Sequence, residues 1–182
     1  MILGDNMQKS EVSKLRIGNT LIQLLQKYPI DQISITLLCK EAQVSRSAFY
    51  NNYKHIEDVL KDHYYQMHYL CFHHNYKDVD YIYSDQHLKD FINFFDINSD
   101  LLLALMKWNL LPYIAKYNTE IVIDDLKQCN DEYIREHSYY YMIYYCSKFF
   151  YLGVAWLGNG KQESKDELFE MIKRFQDKEM TC

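Results

Sequence analysis

The chain has 182 residues, 48% of them apolar, which is enough for a substantial core and excludes disorder as the main state. Its 5 Gly and 2 Pro are too few for the frequent turns of a sheet-rich protein, so long helices joined by few breaks are expected. The formal charge of −5 is uneven: residues 1–62 carry 8 Lys+Arg against 7 Asp+Glu and residues 63–182 carry 12 against 18, so the acidity lies outside the N-terminal third and leaves that part permissive for nucleic acid.

Residues 1–9 read as a loose tail. From Ser10 to about Lys27, Ile17, Leu21, Leu24, Leu25 and Tyr28 recur at i, i+4, i+7, i+8 and i+11, one face of an amphipathic helix that Pro29 stops. Ser34 is placed to cap a second helix from Ile35 to about Ala42, with Ile35, Leu38, Cys39 and Ala42 inward. Gln43 and Val44 make a turn, and Ser45 caps a third helix. That helix carries Arg46, Ser47, Ala48, Tyr50 and Asn51 outward while Val44 and Phe49 face the core. Helix, short turn, helix is the arrangement that lays a second helix into the DNA major groove. A fourth helix runs from Ile56 to about Asn75, followed by a loop over Asp78 to Ser84 and a short helix from His87 to Asp96. A helix from Asp100 to Tyr117 is interrupted near Pro112, and Thr119 is placed to cap another that ends near His137. Tyr139 to Leu157 is an aromatic helix ended by Gly158-Asn159-Gly160, and Glu163 to Asp177 closes the chain before frayed final residues.

Ile17 to Leu60, with the core VSRSAFYNNY, resembles the DNA-binding domain of the TetR family of transcriptional regulators. The resemblance rests on the apolar first helix, Ser34, Ala42 with Val44-Ser45 at the turn, Phe49-Tyr50, Tyr53 in the following aromatic slot, and Glu57 to Leu60 opening a long helix. A weaker resemblance covers the ending FFYLGVAWLGNG. The expected architecture is all-α: a helix-turn-helix domain at 1–58 and a larger helical domain at 59–182 for regulation and dimerisation. The resemblance implies a homodimer, a palindromic operator in double-stranded DNA, and a small-molecule or protein effector acting on the C-terminal domain. Two departures stand out. The family usually has Gly where this chain has Gln43, which costs on the order of 1 kcal/mol if that residue is left-handed. It commonly has Lys where this chain has Ile56, removing one phosphate contact that Lys54 or His55 can replace.

The DNA-facing candidates are Ser34, Thr36, Ser45, Arg46, Ser47, Ala48, Tyr50, Asn51, Tyr53, Lys54 and His55. Arg46 and Asn51 suit base edges, whereas Tyr50, Tyr53 and Lys54 suit the backbone. Trp108, Tyr113, Tyr140 and Tyr144 are candidates for lining a ligand cavity between helices. Tyr145, Phe149, Leu152, Trp156, Leu168 and Ile172 are candidates for the dimer interface. His63, His68, His73 and His74 with Cys71 do not complete a metal set, no nucleophile stands beside a base, and no phosphate-binding Gly loop is present, so no catalytic, metal or cofactor site is expected. The five unpaired-looking cysteines and the absence of a signal-like N-terminus point to the cytoplasm. Tyr139 to Leu157 has the length of a membrane span, but Lys148 at its middle costs about 2.5–3.5 kcal/mol in a bilayer and six tyrosine hydroxyls would need partners. The competing function class is an all-helical dimer that keeps the fold and works through protein contacts.

Overall fold

The computed structural model describes residues 9–181 apart from residue 74, with side chains described from 10 to 178. His74, the first eight residues and Cys182 lie outside the described residues. The described residues form α-helices and short 3-10 turns, with no strand among them. Helix α1 is Lys9–Leu25, α2 Ile35–Glu41, α3 Arg46–Tyr50 and α4 Ile56–Phe72. They are followed by α5 at Val79–Ile82, α6 at Asp85–Ile97, α7 at Ser99–Lys107 and α8 at Leu111–Leu126. The last three are α9 at Glu132–Glu136, α10 at Ser138–Gly158 and α11 at Lys165–Thr181. No described helix is long and apolar enough to cross a membrane.

The N-terminal unit closes around side chains that the periodicity marks as inward. Ile17, Leu21 and Leu25 of α1, Leu38 and Cys39 of α2, and Phe49 of α3 are all buried. Both serine caps form: Ser34 Oγ accepts from the Leu37 N–H at 3.1 Å, and Ser45 Oγ accepts from the Ala48 N–H at 3.0 Å. Gln43 sits between the two helices at φ +55°, the left-handed region that favours glycine. Gly18 lets α1 approach α4 closely, because a Cβ there would stand 2.7 Å from His63 Nδ1.

Helix α4 packs on α1 with one part of its surface and on α6 and α8 with others, so it joins the N-terminal unit to the body. The body contributes a second tie. The Trp108 indole N–H donates to the Leu25 carbonyl at 2.6 Å, Lys107 Nζ to the Gln26 carbonyl at 3.0 Å, and Gln26 Nε2 to the Asp100 carbonyl at 2.7 Å. Three hydrogen bonds thus pin the C-terminal end of α1 to α7, two of them using the Leu25 and Gln26 carbonyls, which the end of α1 leaves without internal partners. Helix α11 lies along α6 in the opposite sense, with Lys165 reaching Asn93 and Asp96 at one end and Lys173 reaching Asp85 at the other.

Several boundaries differ from the sequence expectation. The break around Pro112 falls just before it, at Trp108 to Leu110, and Pro112 occupies the first turn of α8, where its missing N–H costs nothing. Thr119 is no cap; its hydroxyl donates to the Ala115 carbonyl at 2.7 Å inside α8, which runs on to Leu126. Chain expected to continue that helix instead breaks at Lys127 and resumes as α9, where Asp131 caps by accepting from the Ile134 N–H at 2.9 Å. The loop expected over Asp78 to Ser84 holds the single turn α5.

Candidate functional site

The α2–α3 pair places its polar side chains outside and its apolar ones inside. Ser34, Thr36, Ser45, Arg46, Ser47, Tyr50, Asn51, Lys54 and His55 are exposed and Ala48 is half-buried. Phe49, fully buried, meets the Tyr50 ring edge-on at 5.5 Å and the Tyr53 ring at 5.8 Å, which fixes how α3 rolls on the core. The Arg46 guanidinium lies 5.9 Å from the centre of the Tyr50 ring, one helical turn along. That contact holds a planar cation at the start of α3 without neutralising it. Behind α3, Asp58 Oδ2 accepts from the Lys54 and His55 N–H groups at 2.9 and 2.8 Å. These bonds, backed by the charges of His55 and Lys54, hold the Asp58 carboxyl below its usual range against the opposing effect of burial.

Tyr53 is a correction. It is only 6% exposed, and its hydroxyl donates to Asp62 Oδ2 at 2.6 Å, so it faces the core instead of a DNA backbone. Lys14 Nζ at 3.4 Å and Gln66 Nε2 at 3.2 Å reach the same oxygen, and Lys14 also stands 5.6 Å from the Tyr53 ring centre. This cluster fastens α1 and the chain after α3 to α4. Burial raises the Tyr53 phenol well above its ordinary value, and the bond to Asp62 raises it further. Ile56, which stands where the resemblance implies a phosphate-contacting lysine, is buried and belongs to the core, while Lys54 and His55 beside it are exposed.

The ligand candidates do not meet around a void. Trp108 is committed to the Leu25 carbonyl, and Tyr113, Tyr140 and Tyr144 all lie on the surface. Five of the interface candidates are corrected: Tyr145, Phe149, Trp156, Leu168 and Ile172 are buried within the protomer, while Leu152 is half-buried. Helix α10 turns its other face out. Tyr140, Tyr144 and Tyr151 are 74%, 69% and 69% exposed.

The body's interior holds an aromatic chamber that periodicity did not reveal. Rings from α4, α6 and α10, among them Phe72, Phe94 and Phe149, surround a cavity of about 30 Å³. Buried His87 stands between two phenols, with Nε2 3.4 Å from the Tyr76 oxygen and Nδ1 3.4 Å from the Tyr145 oxygen; the Tyr145 hydroxyl also donates to the Ile82 carbonyl. The only hint in the sequence was the density of aromatics in α4, α6 and α10. Among the described residues, no three His, Cys, Asp or Glu side chains converge as metal ligands would.

Burial pushes the His87 imidazole down to about 4, so it is neutral in the native protein at ordinary pH. An unfolded chain takes up a proton below about 6.5 that the native state refuses, so stability is lost as pH falls from there towards 4 and is unaffected above 7. The loss attributable to this residue reaches on the order of 3 kcal/mol. Urea unfolding at neutral pH and at about pH 4.5 checks it. His87→Gln is expected to lose roughly 2–3 kcal/mol less than the wild type across that interval, and equal losses in the two proteins would remove His87 from the account.

Compared with models of known protein families the chain matches none, and compared with curated proteins it finds no relative. The functional reading therefore rests on the geometry of the chain itself.

Proposed function

We propose that the chain is a DNA-binding transcriptional regulator of the TetR kind, a repressor that binds a palindromic operator as a homodimer. The observation that carries this reading is α3: a serine-capped helix whose Arg46, Ser47, Tyr50 and Asn51 are exposed together while Phe49 anchors its back. Among the described residues, the side chains of Arg46, Ser47, Tyr50 and Asn51 make no hydrogen bond to the body, which leaves them available to a partner. Arg46 and Asn51 have the donor geometry for guanine and adenine edges, and Ser47, Tyr50, Lys54 and His55 suit phosphates.

A palindromic site needs two readers about one helical turn of DNA apart, hence a second copy of the chain. On α10 Tyr140, Tyr144, Tyr151 and Gly158 are exposed, and with the half-buried Ser147 and Val154 between them they form a row that advances by alternating steps of four and three, the spacing of a helix that packs along a partner helix. This row, on the opposite face of α10 from the residues the sequence singled out for the interface, is the homodimer surface in our reading. Tyrosine suits it, combining a large apolar ring with a hydroxyl that stays hydrated until the partner arrives. Replacing both Tyr144 and Tyr151 by Glu is expected to leave a folded monomer in sedimentation. Operator affinity should fall about 10²-fold or more as the second half-site contact ceases to be intramolecular; a dimer that survives both changes removes this face from the interface.

In this reading an effector acts by preferring a body conformation in which the two α3 helices are wrongly spaced. Two connections are available to carry it, α4 and the α7 clamp on the end of α1. The regulator works in the cytoplasm, where the DNA and reducing conditions for its thiols are found.

The reading is tested by titrating the chain against fragments of its own promoter at 50 and 200 mM salt. With Arg46, Lys54 and Lys40 exposed on each protomer, neutralising about six phosphates per dimer lowers affinity about 10³-fold over that interval. If no sequence-specific, salt-dependent complex forms at micromolar dimer, the regulator reading fails. The outward aromatic row then supports the second reading, a dimer that works through protein contacts.

A further inference from the structure

Between α8 and α10 the surface opens into a recess of about 100 Å³, bordered at its rim by Ala115, Thr119, Ile143 and Ser147. Buried Met142 lines it too, together with the half-buried Asn118, Cys146 and Phe150, and these last three residues also border the aromatic chamber of about 30 Å³ inside the body. Recess and chamber are therefore two compartments with one partition. The chamber alone has room for water and no more. With Phe150 displaced, the joined space approaches the roughly 150 Å³ of apolar cavity that accepts a benzene ring.

The partition is suited to moving. Phe150 is half-buried, meeting the Phe95 ring edge-on at 6.2 Å and the Tyr151 ring at 5.9 Å. It is thus less confined than Phe95 or Phe149, which are both nearly fully buried. Asn118 Oδ1 accepts from the Tyr64 hydroxyl at 3.4 Å, long for an O–H···O bond and easily surrendered to a better donor.

The lining also defines what can enter. Among the described residues no Asp, Glu, Lys or Arg borders either compartment, so a charged occupant would lose its hydration without gaining a counter-ion. The titratable groups on the walls reinforce this, since burial keeps the Cys146 thiol protonated, pushed up to about 12, and leaves His87 neutral. Ring faces and edges on the chamber wall reward a flat, polarisable guest. The polar groups at the partition and rim, Asn118, Thr119 and Ser147, reward one hydroxyl.

We infer that the recess and chamber together bind an uncharged single-ring phenol or aromatic alcohol, admitted by rotation of Phe150 and held through its hydroxyl by Asn118. Binding deepens the effector reading given above but does not depend on it, because the site is complete within one protomer. The mouth shares Ser147 and Tyr151 with the outward row of α10, so an occupant sits beside the surface where the second copy is placed.

The test is calorimetric titration of the full chain with phenol, repeated with benzoate and with two variants. Wild type is expected to bind one phenol per protomer with a Kd on the order of 1 mM or tighter, and benzoate about tenfold or more weaker. Ala115→Trp, at the exposed rim and outside the core, is expected to weaken phenol about tenfold while circular dichroism is unchanged. Phe150→Ala, which removes the partition, is expected to strengthen phenol and to admit the two-ring naphthol. Absence of saturable phenol binding in wild type, or equal binding by Ala115→Trp, overturns the site. Saturable phenol binding with operator affinity unchanged at saturation leaves the site standing and overturns its role as the effector site. Phenol binding by a chain that fails to bind DNA at all overturns the regulator reading alone.

Discussion

Arg46→Ala is expected to flatten the difference in affinity between the operator and variants of it, with a loss of about 1–3 kcal/mol concentrated at one base pair of each half-site. Arg46 is the first residue of α3, follows the capping Ser45, and projects into solvent with its guanidinium resting against Tyr50. It is the only Lys or Arg within α3. A bidentate guanidinium pairs with the two acceptors of guanine as no neutral side chain can, whereas phosphate contacts hold every sequence alike. Lys54→Ala supplies the contrast: it is expected to weaken all sequences by a similar factor and to reduce the salt dependence by about one ion per protomer. The measurement is a set of binding curves over single-base operator variants. Discrimination that survives Arg46→Ala would move the base-reading role to Asn51 or elsewhere.

The largest effect on stability is expected at Gly153. A Cβ at this position of α10 would lie 2.4–2.5 Å from three atoms of the Phe95 ring, well inside van der Waals contact. Phe95 cannot retreat easily, since its ring is buried against Phe91 at 4.9 Å and Phe94 at 5.6 Å. The missing side chain is what allows α6 and α10 to approach at this point. Gly153→Val should therefore cost about 3 kcal/mol despite replacing a poor helix former, because overpacking exceeds the gain in propensity. For a chain of this size that corresponds to a melting temperature lower by roughly 6–12 °C. Phe95→Leu in the same chain is expected to recover part of the loss, giving a non-additive cycle of 0.5 kcal/mol or more. If Gly153→Val melts with the wild type, α10 and α6 are not in close contact there.

Most of the helices were legible because their apolar residues recur at helical spacing and their ends are marked by Ser34, Ser45 and Pro29. The left-handed Gln43 was legible only as a conditional, from its position in the turn; its φ of +55° meets the condition. Tyr53 was misread because a tyrosine after α3 has the same sequence appearance whether it reaches for phosphate or for Asp62, and that aspartate comes from a different helix. Thr119 was misread for a related reason: a threonine can cap a helix from outside it or bond back to a carbonyl within it, and its local sequence does not choose.

Helix α10 marks the boundary between the two kinds of information. Its composition alone determined that it is a helix, that a bilayer would suit it poorly because of Lys148 and its tyrosine hydroxyls, and that it carries aromatic surface in quantity. It did not determine which side faces in, because Tyr and Phe occur around most of the circumference and no polar stripe orients it. That choice was made by α5, α6 and α8, which pack against it. Gly153 admits Phe95, Tyr145 donates to the Ile82 carbonyl, and Tyr140, Tyr144 and Tyr151 are left outside. The sequence by itself thus determined an all-helical chain with a capped, cation-bearing α3 near its start. Only tertiary packing decided which aromatic face is core, which faces solvent, and that a divided cavity lies between them, because burial depends on the neighbours a helix meets as much as on its own residues.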